Sequence, residues 1–592
     1  MVRVVVIDTG LDYCNHKFEN SFENGVSLKS IEGGIVTTPD AQDDVGHGTA
    51  VSNIILTECK KVKIIPVKVI GVDYYTEECV LIDALKFVLN HCDCDIINMS
   101  LGLNVCEHRK ELNELINKLH DKGVIVISAF NNDGSMSYPA MLKNVIGVDV
   151  SAESKTIDDF EFVENSEVNL LAMGSNQRVL WLNNEYKMVC GSSFATAHVT
   201  AIVANLINSG IKPNQVLTTL KKSAKKIIQG REIKELKLSF DIHRAIALPY
   251  NKEIHSVVRF EEALAFELVG IYDVRESGNV GKEIIADSKK KYTVGNLLRI
   301  DWESDFDTLI IGHINVLQKL LHFDLRKYLF LKSKLYGKSI YSFDYIATDK
   351  NEYGVTVFSP YVNETMLPQN TFGKLYHIDK PVLGVFGTGS KQGKFTLQMM
   401  LKKRFENDGY EVGYLGTEPS SLLFGAQEVY PMGYENSVTI KGFDSVLLLN
   451  KYMYNISHSA DIILVGSQAN TVPPHTGNEF YYTNKQIEFL MGTQPDAVIL
   501  CFNAHDDLKY ISRTILTIEN LIECDVIGAV LFPLKLKSGW AGANGIMEKI
   551  TEADIIGYKE YLLAKHSIKT YFLDDLESIN ELYQDCINYF AE

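Results

Sequence analysis

VVVIDTGLD at Val4–Asp12 opens the chain on a short apolar run that ends in an acid. The run predicts a buried parallel strand over Val4–Ile7, with Asp8 at its carboxyl end, where α/β sheets present functional groups. Further along, DDVGHGTAVS (Asp43–Ser52) carries His47, and CGSSFATAH (Cys190–His198) carries Ser193 at the head of an apolar segment, Phe194–Ile207, that reads as a helix. Alone, each context is weak: a DTG occurs at ordinary strand ends, a GHGT at turns, and a GSS in flexible loops. Together and in this order they suit one chemistry. A serine hydroxyl is a poor nucleophile at neutral pH and needs a base within hydrogen-bond reach. His47 is the candidate base, and Asp8 the group that holds its tautomer and stabilises the imidazolium.

Acyl transfer also needs donors for the developing oxyanion. The Ser193 N–H, near the positive end of the predicted helix, is one. In VIVISAFNNDGSMSYPA (Val124–Ala140) an apolar strand ends in Ser-Ala-Phe-Asn-Asn, and Asn131 is the candidate side-chain donor. The competing reading makes Asn131 and Asn132 turn formers only.

With these motifs in place, residues 1 to about 245 resemble the catalytic domain of the subtilisin-like (S8) serine proteases. The resemblance implies a parallel-sheet, three-layer α/β fold and cleavage of peptides bound as extended strands. It assigns catalysis to Asp8, His47, Ser193 and Asn131. It makes Ser100, Leu101 and Gly102, in DIINMSLG (Asp95–Gly102), the strand that pairs with substrate. Three positions depart from the family pattern. Phe130 replaces the usual glycine before the oxyanion asparagine and is expected to reshape the pocket for the residue before the cut. Ser192 replaces a threonine, and Ala197 a proline. With Asp8 so early, neither signal peptide nor propeptide fits in front of it. The strand KIIPVKVI (Lys63–Ile70) follows His47 too closely for the family's calcium loop. The expectation is a compact intracellular enzyme that needs no cofactor for proteolysis and holds no metal at that place.

The chain has 592 residues, well beyond one hydrophobic core, so two or three domains are expected. A net charge of −17 disfavours nucleic acid as a partner and favours peptide or protein substrates, basic ones among them. No apolar run approaches the roughly 20 residues that cross a bilayer, so no membrane partner is expected. The ten cysteines show no zinc pairing and suit free thiols in a reducing cytoplasm. A homo-oligomer is left open.

Around Ala247–Ser256 the apolar rhythm breaks, and a boundary is placed there. The expected domains are 1–250, 257–375 and 376–592. In the second, DTLIIGHIN (Asp307–Asn315) and GKSIYSFDYI (Gly337–Ile346) suggest a small Rossmann-like sheet. The third opens with KPVLGVFGTGSKQGKFTLQMMLKKRF (Lys380–Phe405), an apolar strand, a glycine loop and a helix. This is the layout of a phosphate-binding loop. Its candidate ligands are Gly387, Thr388, Gly389, Ser390, Lys391, Gln392, Gly393, Lys394, Phe395 and Thr396, with Lys394 as the point charge. The strict spacing is missed by one residue, and Phe395 stands before the hydroxyl residue.

That variant resembles the P-loop of the DUF1611 family and, more distantly, of dethiobiotin synthetase. GYLGTEPSSLLFG (Gly413–Gly425) and GTQPDAVILCFNAHD (Gly492–Asp506) resemble further segments of the same family. The resemblance spans about residues 260–592 and implies a P-loop NTPase-like α/β domain that takes a nucleotide (ATP) with Mg²⁺. Against this, ADIILVGSQANT (Ala460–Thr471) lacks a metal-organising acid at Val465–Gln468. Two readings therefore stand: a nucleotide held as a structural or regulatory ligand, or a loop kept for its packing.

The whole reads as an intracellular serine endopeptidase that processes peptides, with leader removal as one such role and a recruiting or regulatory C-terminal half. The alternatives are a peptide-binding scaffold with a vestigial protease site, and a nucleotide-dependent ligase or transferase in the C-terminal half.

Overall fold

The computed structural model describes residues 1–32, 34–347, 353–433, 435–504, 506–532, 534–536 and 547–591. The chain forms two compact units, one of Met1–Ile233 with Pro368–Asp379, the other of Lys234–Leu367 with Lys380–Glu592.

The first unit is built on a ten-stranded sheet. Its centre runs Val145–Val150, Ile125–Ala129, Ile96–Met99, Val2–Asp8, Val62–Lys68, all parallel. Alternate residues of the opening strand serve opposite faces. Val4 and Val6 pack beneath the helices His47–Glu58 and Ser192–Asn208. Val5 and Ile7 pack beneath Glu78–His91 and Arg109–Asp121. A strand covered on both faces has no use for polar residues, which is why the sequence reads as an unbroken apolar run. Burying each such side chain contributes about 1.5–3 kcal/mol. The result is the expected three-layer α/β arrangement, with Asp8 at the carboxyl edge.

The second unit holds two parallel sheets. Six strands are ordered Gly295–Asn296, Glu267–Asp273, Arg244–Leu248, Thr308–Ile311, Ser339–Ser342, Val357–Phe358. Seven others are ordered Glu428–Val429, Val412–Gly416, Ile462–Gly466, Val382–Gly387, Ala497–Asn503, Asp525–Phe532, Thr570–Phe572. One hydrophobic core contains side chains of both sheets, from Ala245 and Ile310 to Leu383 and Ile499.

The units divide the chain differently from the sequence reading. Arg244–Leu248, placed before the expected boundary, is a central strand of the six-stranded sheet. Its five residues are short, and Pro249 follows at once, so the segment looked like a linker. Residues 368–379, expected in the Rossmann-like region and the start of the P-loop domain, instead pack with the first unit.

Among the described residues, no single helix is long and apolar enough to cross a membrane.

Candidate active site and phosphate-loop site

The DTG and GHG segments are built into each other. A Cβ on Gly48 would meet the Gly10 carbonyl oxygen at 2.4 Å, so only glycine lets the helix start this close to the strand end. The Gly48 N–H donates to Thr9 Oγ1 (2.8 Å), and the Asp12 N–H to Thr49 Oγ1 (3.0 Å). Asp43 accepts from the Val45, Gly46 and Thr49 N–H groups and so fixes the turn leading to His47. These bonds bring the His47 Nδ1 to 2.8 and 3.0 Å from the two oxygens of the fully buried Asp8. With Nδ1–H facing the carboxylate, Nε2 carries the lone pair, as a general base requires. Burial alone would push the imidazole down, but the charge and hydrogen bond of Asp8, with Asp43 behind, hold it above its ordinary 6.5.

Ser193 lies in the first turn of Ser192–Asn208, and the Phe194 ring stands 5.4 Å from that of His47. The Ser193 hydroxyl donates to the Ser100 carbonyl at 3.0 Å, while the Ser100 hydroxyl donates back to the Ser193 carbonyl at 3.1 Å. Asp8 and His47 are thus paired, and Ser193 faces the predicted substrate strand, so rotation about its Cα–Cβ bond is needed to re-aim its proton. Catalytic hydrogen bonds commonly tighten only when substrate is bound.

A cleft of about 850 Å³ runs past His47, between Ile70–Cys79 on one side and Ser100–Val105 on the other. Ser100, Leu101 and Gly102 line it. Gly102 leaves room for the Asn131 side chain, whose Oδ1 would lie 2.4 Å from a Cβ there.

Two expectations are at issue here. Asn131, the predicted oxyanion donor, lines the cleft, and its amide donates to Asn104 Oδ1, which also accepts from the Ser135 hydroxyl (3.0 Å). Its neighbour Asn132 is the one bonded to Ser192, next to the candidate nucleophile Ser193. Asn132 Oδ1 accepts from the Ser192 N–H (3.0 Å) and hydroxyl (3.1 Å), and its exposed amide Nδ2 has no hydrogen bond among the described residues. Sequence spacing could have found it: in Asn-Asn-Asp-Gly the second asparagine lies one residue further past the strand end, towards the helix. The second, Phe130, is a correction. Its ring is buried, 1% exposed, and lies outside the cleft lining. Only its backbone serves the site, accepting the Ser192 hydroxyl. The strand's alternation turns that ring into the core.

In the second unit, the glycine loop follows Val382–Gly387 and leads into the helix Lys394–Asn407, as predicted. Gly393, at φ 75°, makes the turn, and a Cβ there would meet Leu573 Cδ2 at 2.1 Å. The loop is occupied by its own side chains. Gln392 Oε1 accepts the Gly389 N–H (2.9 Å), and Gln392 Nε2 donates to Thr388 Oγ1 (2.7 Å) and Asp506 Oδ2 (3.1 Å). The buried Lys394 ammonium donates to the Gly389 carbonyl, and burial pushes it down to about 8. Gly387 packs against the same Gln392. Ser390 and Lys391 line a neighbouring cavity, Phe395 packs on Phe424 at 5.4 Å, and Thr396 accepts from Arg259 at 3.4 Å.

The sequence reading missed the acids of this loop. Asp506 reaches it from the turn after Ala497–Asn503. Glu418, from the Gly-Thr-Glu-Pro turn, has its pKa raised by burial and feels the Lys252 and Lys394 charges. Gln468, where an acid was sought, donates to Thr417 at 2.9 Å.

Comparison with known proteins finds two families along the chain. Residues 1–240 match the subtilase family, and residues 370–530 match a domain of unknown function, the DUF1611 P-loop domain. The minor extracellular protease Epr of Bacillus subtilis (strain 168) is 28% identical over 217 residues, 35% of this chain and 32% of that protein. The major intracellular serine protease of the same organism is 28% identical over 221 residues, 34% of this chain and 67% of that protein. The chain thus spans about a third of Epr's length. A solved cold-adapted subtilisin-like serine proteinase aligns at 23% identity and TM-score 0.31, covering 37% of this chain and 81% of the other.

Proposed function

From an N-terminal subtilase-family domain followed by a DUF1611 P-loop domain, we propose that the protein is a serine endopeptidase acting through an acyl-enzyme on Ser193. The observation that carries this is the buried Asp8–His47 pair, 2.8 Å apart, opening on the cleft walled by Ser100–Gly102. A peptide lies extended along that strand by backbone pairing. Ser193 Oγ attacks the scissile carbonyl carbon, and His47 Nε2 takes its proton. The carbonyl oxygen becomes an oxyanion that the Ser193 N–H and the Asn132 amide stabilise. His47 returns the proton to the departing amine, and water repeats the sequence to free the acid.

The processing role rests on the fusion of this cleft to a second unit that does no proteolysis in this scheme. A location inside the cell is supported by ten free thiols, which a reducing compartment maintains. The test is labelling of the full chain by a fluorophosphonate, beside Ser193→Ala, followed by digestion of an unfolded protein mixture. Labelling of the wild type alone with few cleavages bears the reading out. No labelling sinks the peptidase, and indiscriminate digestion sinks the processing role.

One observation favours a further activity in the second unit. A cavity of about 540 Å³ lies at the carboxyl ends of the six-stranded sheet. It sits where strand order reverses, between Arg244–Leu248 and Thr308–Ile311, the usual ligand position in open α/β sheets. His313, paired with the buried Asp344 at 2.8 Å, lines it together with Ser390 and Lys391 of the glycine loop. A nucleotide-dependent transferase would use such a cavity for its acceptor. Nucleotide turnover lost in Lys394→Ala would support that activity, and none in the wild type would remove it.

A further inference from the structure

Residues 368–379 are remote in sequence from the rest of the first unit, yet they are built into it. The Arg109 guanidinium holds both oxygens of Asp379 at 2.6 Å. The Tyr376 hydroxyl donates to Glu167 at 2.9 Å, and the Ser166 hydroxyl to the Asn370 carbonyl at 3.0 Å. At the middle of the segment, Lys374 is 4% exposed and forms an ion pair with Asp149 at 2.8 Å. Its ammonium also lies 5.5 Å from the centre of the Phe130 ring. Next to it, the Leu375 carbonyl accepts the Met136 N–H at 2.9 Å.

Phe130 and Met136 bracket the loop that carries Asn131 and Asn132. The far side of that loop is tied to the substrate strand: Asn131, Asp133 and Ser135 all bond Asn104, and Leu103 pairs with Tyr138. The side facing residues 368–379 is held by Lys374 and Leu375. A buried lysine is costly unless paired, so the Lys374–Asp149 contact is a fixed point and not a loose surface tether. The segment ends at Asp379, and the strand leading into the glycine loop starts at Val382.

We propose that segment 368–379 is a strap that positions the Phe130–Ser137 loop, and through it Asn132, for oxyanion stabilisation, with Lys374 and Leu375 as its positioning residues. The strap makes the protease site dependent on chain from beyond residue 367. This inference rests on the peptidase reading above.

The test uses the full chain carrying Lys374→Met, Lys374→Arg or Tyr376→Phe. It measures kcat and KM on a peptide amide, together with amide hydrogen exchange. A small misplacement of an oxyanion donor is expected to lower kcat by roughly 10- to 100-fold in Lys374→Met. KM should change little, because the Ser100–Gly102 strand is untouched. Lys374→Arg should recover most of the kcat. Exchange should quicken in 131–137 of Lys374→Met and stay slow in Ser192–Asn208. Tyr376→Phe removes one hydroxyl and should show a weaker version of the same pattern, which keeps the test decisive if Lys374→Met fails to fold. Unchanged kcat with unchanged exchange in 131–137 overturns the strap, as does a loss of kcat that Lys374→Arg does not recover. If the wild type takes no fluorophosphonate label, the peptidase reading fails, and the exchange data alone still decide whether the strap holds the loop.

Discussion

The cleft of the first unit and the glycine loop of the second differ in how many of their functional groups the protein itself occupies. Around Ser193 the scaffold spends some atoms to leave others ready. Asn132 Oδ1 grips the Ser192 backbone and hydroxyl, and its amide is left facing out. Asp8 grips His47 Nδ1, so that in the neutral imidazole Nε2 holds the lone pair. In the glycine loop the groups a phosphate would use are already engaged. The Gly389 N–H is taken by Gln392, and the Lys394 ammonium by the Gly389 carbonyl. Preorganised donors cost nothing to arrange at the moment of reaction, whereas self-satisfied donors must first break their own bonds. Both sites announce themselves in the sequence as motifs at strand ends and helix starts. What separates them is whether the ligand's place is open or filled by the protein.

The comparison breaks most visibly at Ser193. Replacing it with alanine should remove at least about 10⁴-fold of the peptide hydrolysis. Lys394→Ala should leave hydrolysis unchanged. The check is peptide turnover by both variants beside the wild type. Residual hydrolysis at wild-type rate in Ser193→Ala would move the chemistry elsewhere.

The paired asparagines sharpen it next. Asn132→Ala should lower kcat by about 100- to 1000-fold with KM little changed, the loss expected for one oxyanion donor. Asn131→Ala should cost much less, because its amide supports the loop through Asn104. Steady-state kinetics of the two variants decide between them. The reverse order would favour the sequence-based assignment.

The pH profile comes third. His47 must be neutral to take a proton, and its pKa is held above 6.5. The rate kcat/KM should therefore climb as pH rises through that raised value, with the limb lying above pH 6.5. The linked stability has the opposite sign. The Asp8–His47 attraction is fully present below pH 6.5 and fades as pH rises through the folded pKa. Asp8→Asn should shift the limb downward as well as slowing turnover. A limb that stays in place would mean Asp8 does not set the basicity of His47.

Much of this was legible in the sequence, for identifiable reasons. Val4–Asp12 could be read because a doubly covered parallel strand has only one kind of composition, and its end residue is then placed by geometry. The close backbone approach of the DTG and GHG glycines, by contrast, appears only in the structure. Phe130 was misplaced for a physical reason. The decision there turns on which face each side chain takes as the chain leaves Ile125–Ala129, and a single residue of offset exchanges core for cleft. Arg244–Leu248 was lost because a five-residue strand followed by proline resembles a linker. The strap could not be read at all. Its contacts join residues more than 200 positions apart, and nothing in QNTFGKLYHID (Gln369–Asp379) marks it as part of another unit. Gln392 was quoted as a candidate ligand, but no pattern tells whether a loop side chain meets a ligand or replaces one.

That last point carries the smallest expected effect. Gln392→Ala removes the side chain that occupies the loop and frees the Gly389 N–H. Each hydrogen bond it makes contributes a net 0.5–1.5 kcal/mol, so relief of one or two should tighten binding of inorganic phosphate by roughly tenfold. Lys394, held down to about 8, supplies the charge only while protonated. Phosphate binding by the variant should therefore weaken as pH rises through about 8. Burial of Lys394 also costs stability at neutral pH. Because the unfolded chain binds more protons between about 8 and the ordinary lysine value of 10.5, stability should rise with pH across that window. Calorimetric titration of wild type and Gln392→Ala with phosphate at pH 7 and pH 9 reads both effects. If the variant gains no affinity at pH 7, Gln392 is not what keeps the loop closed. The contrast with the cleft would then lie in the Lys394–Gly389 bond instead.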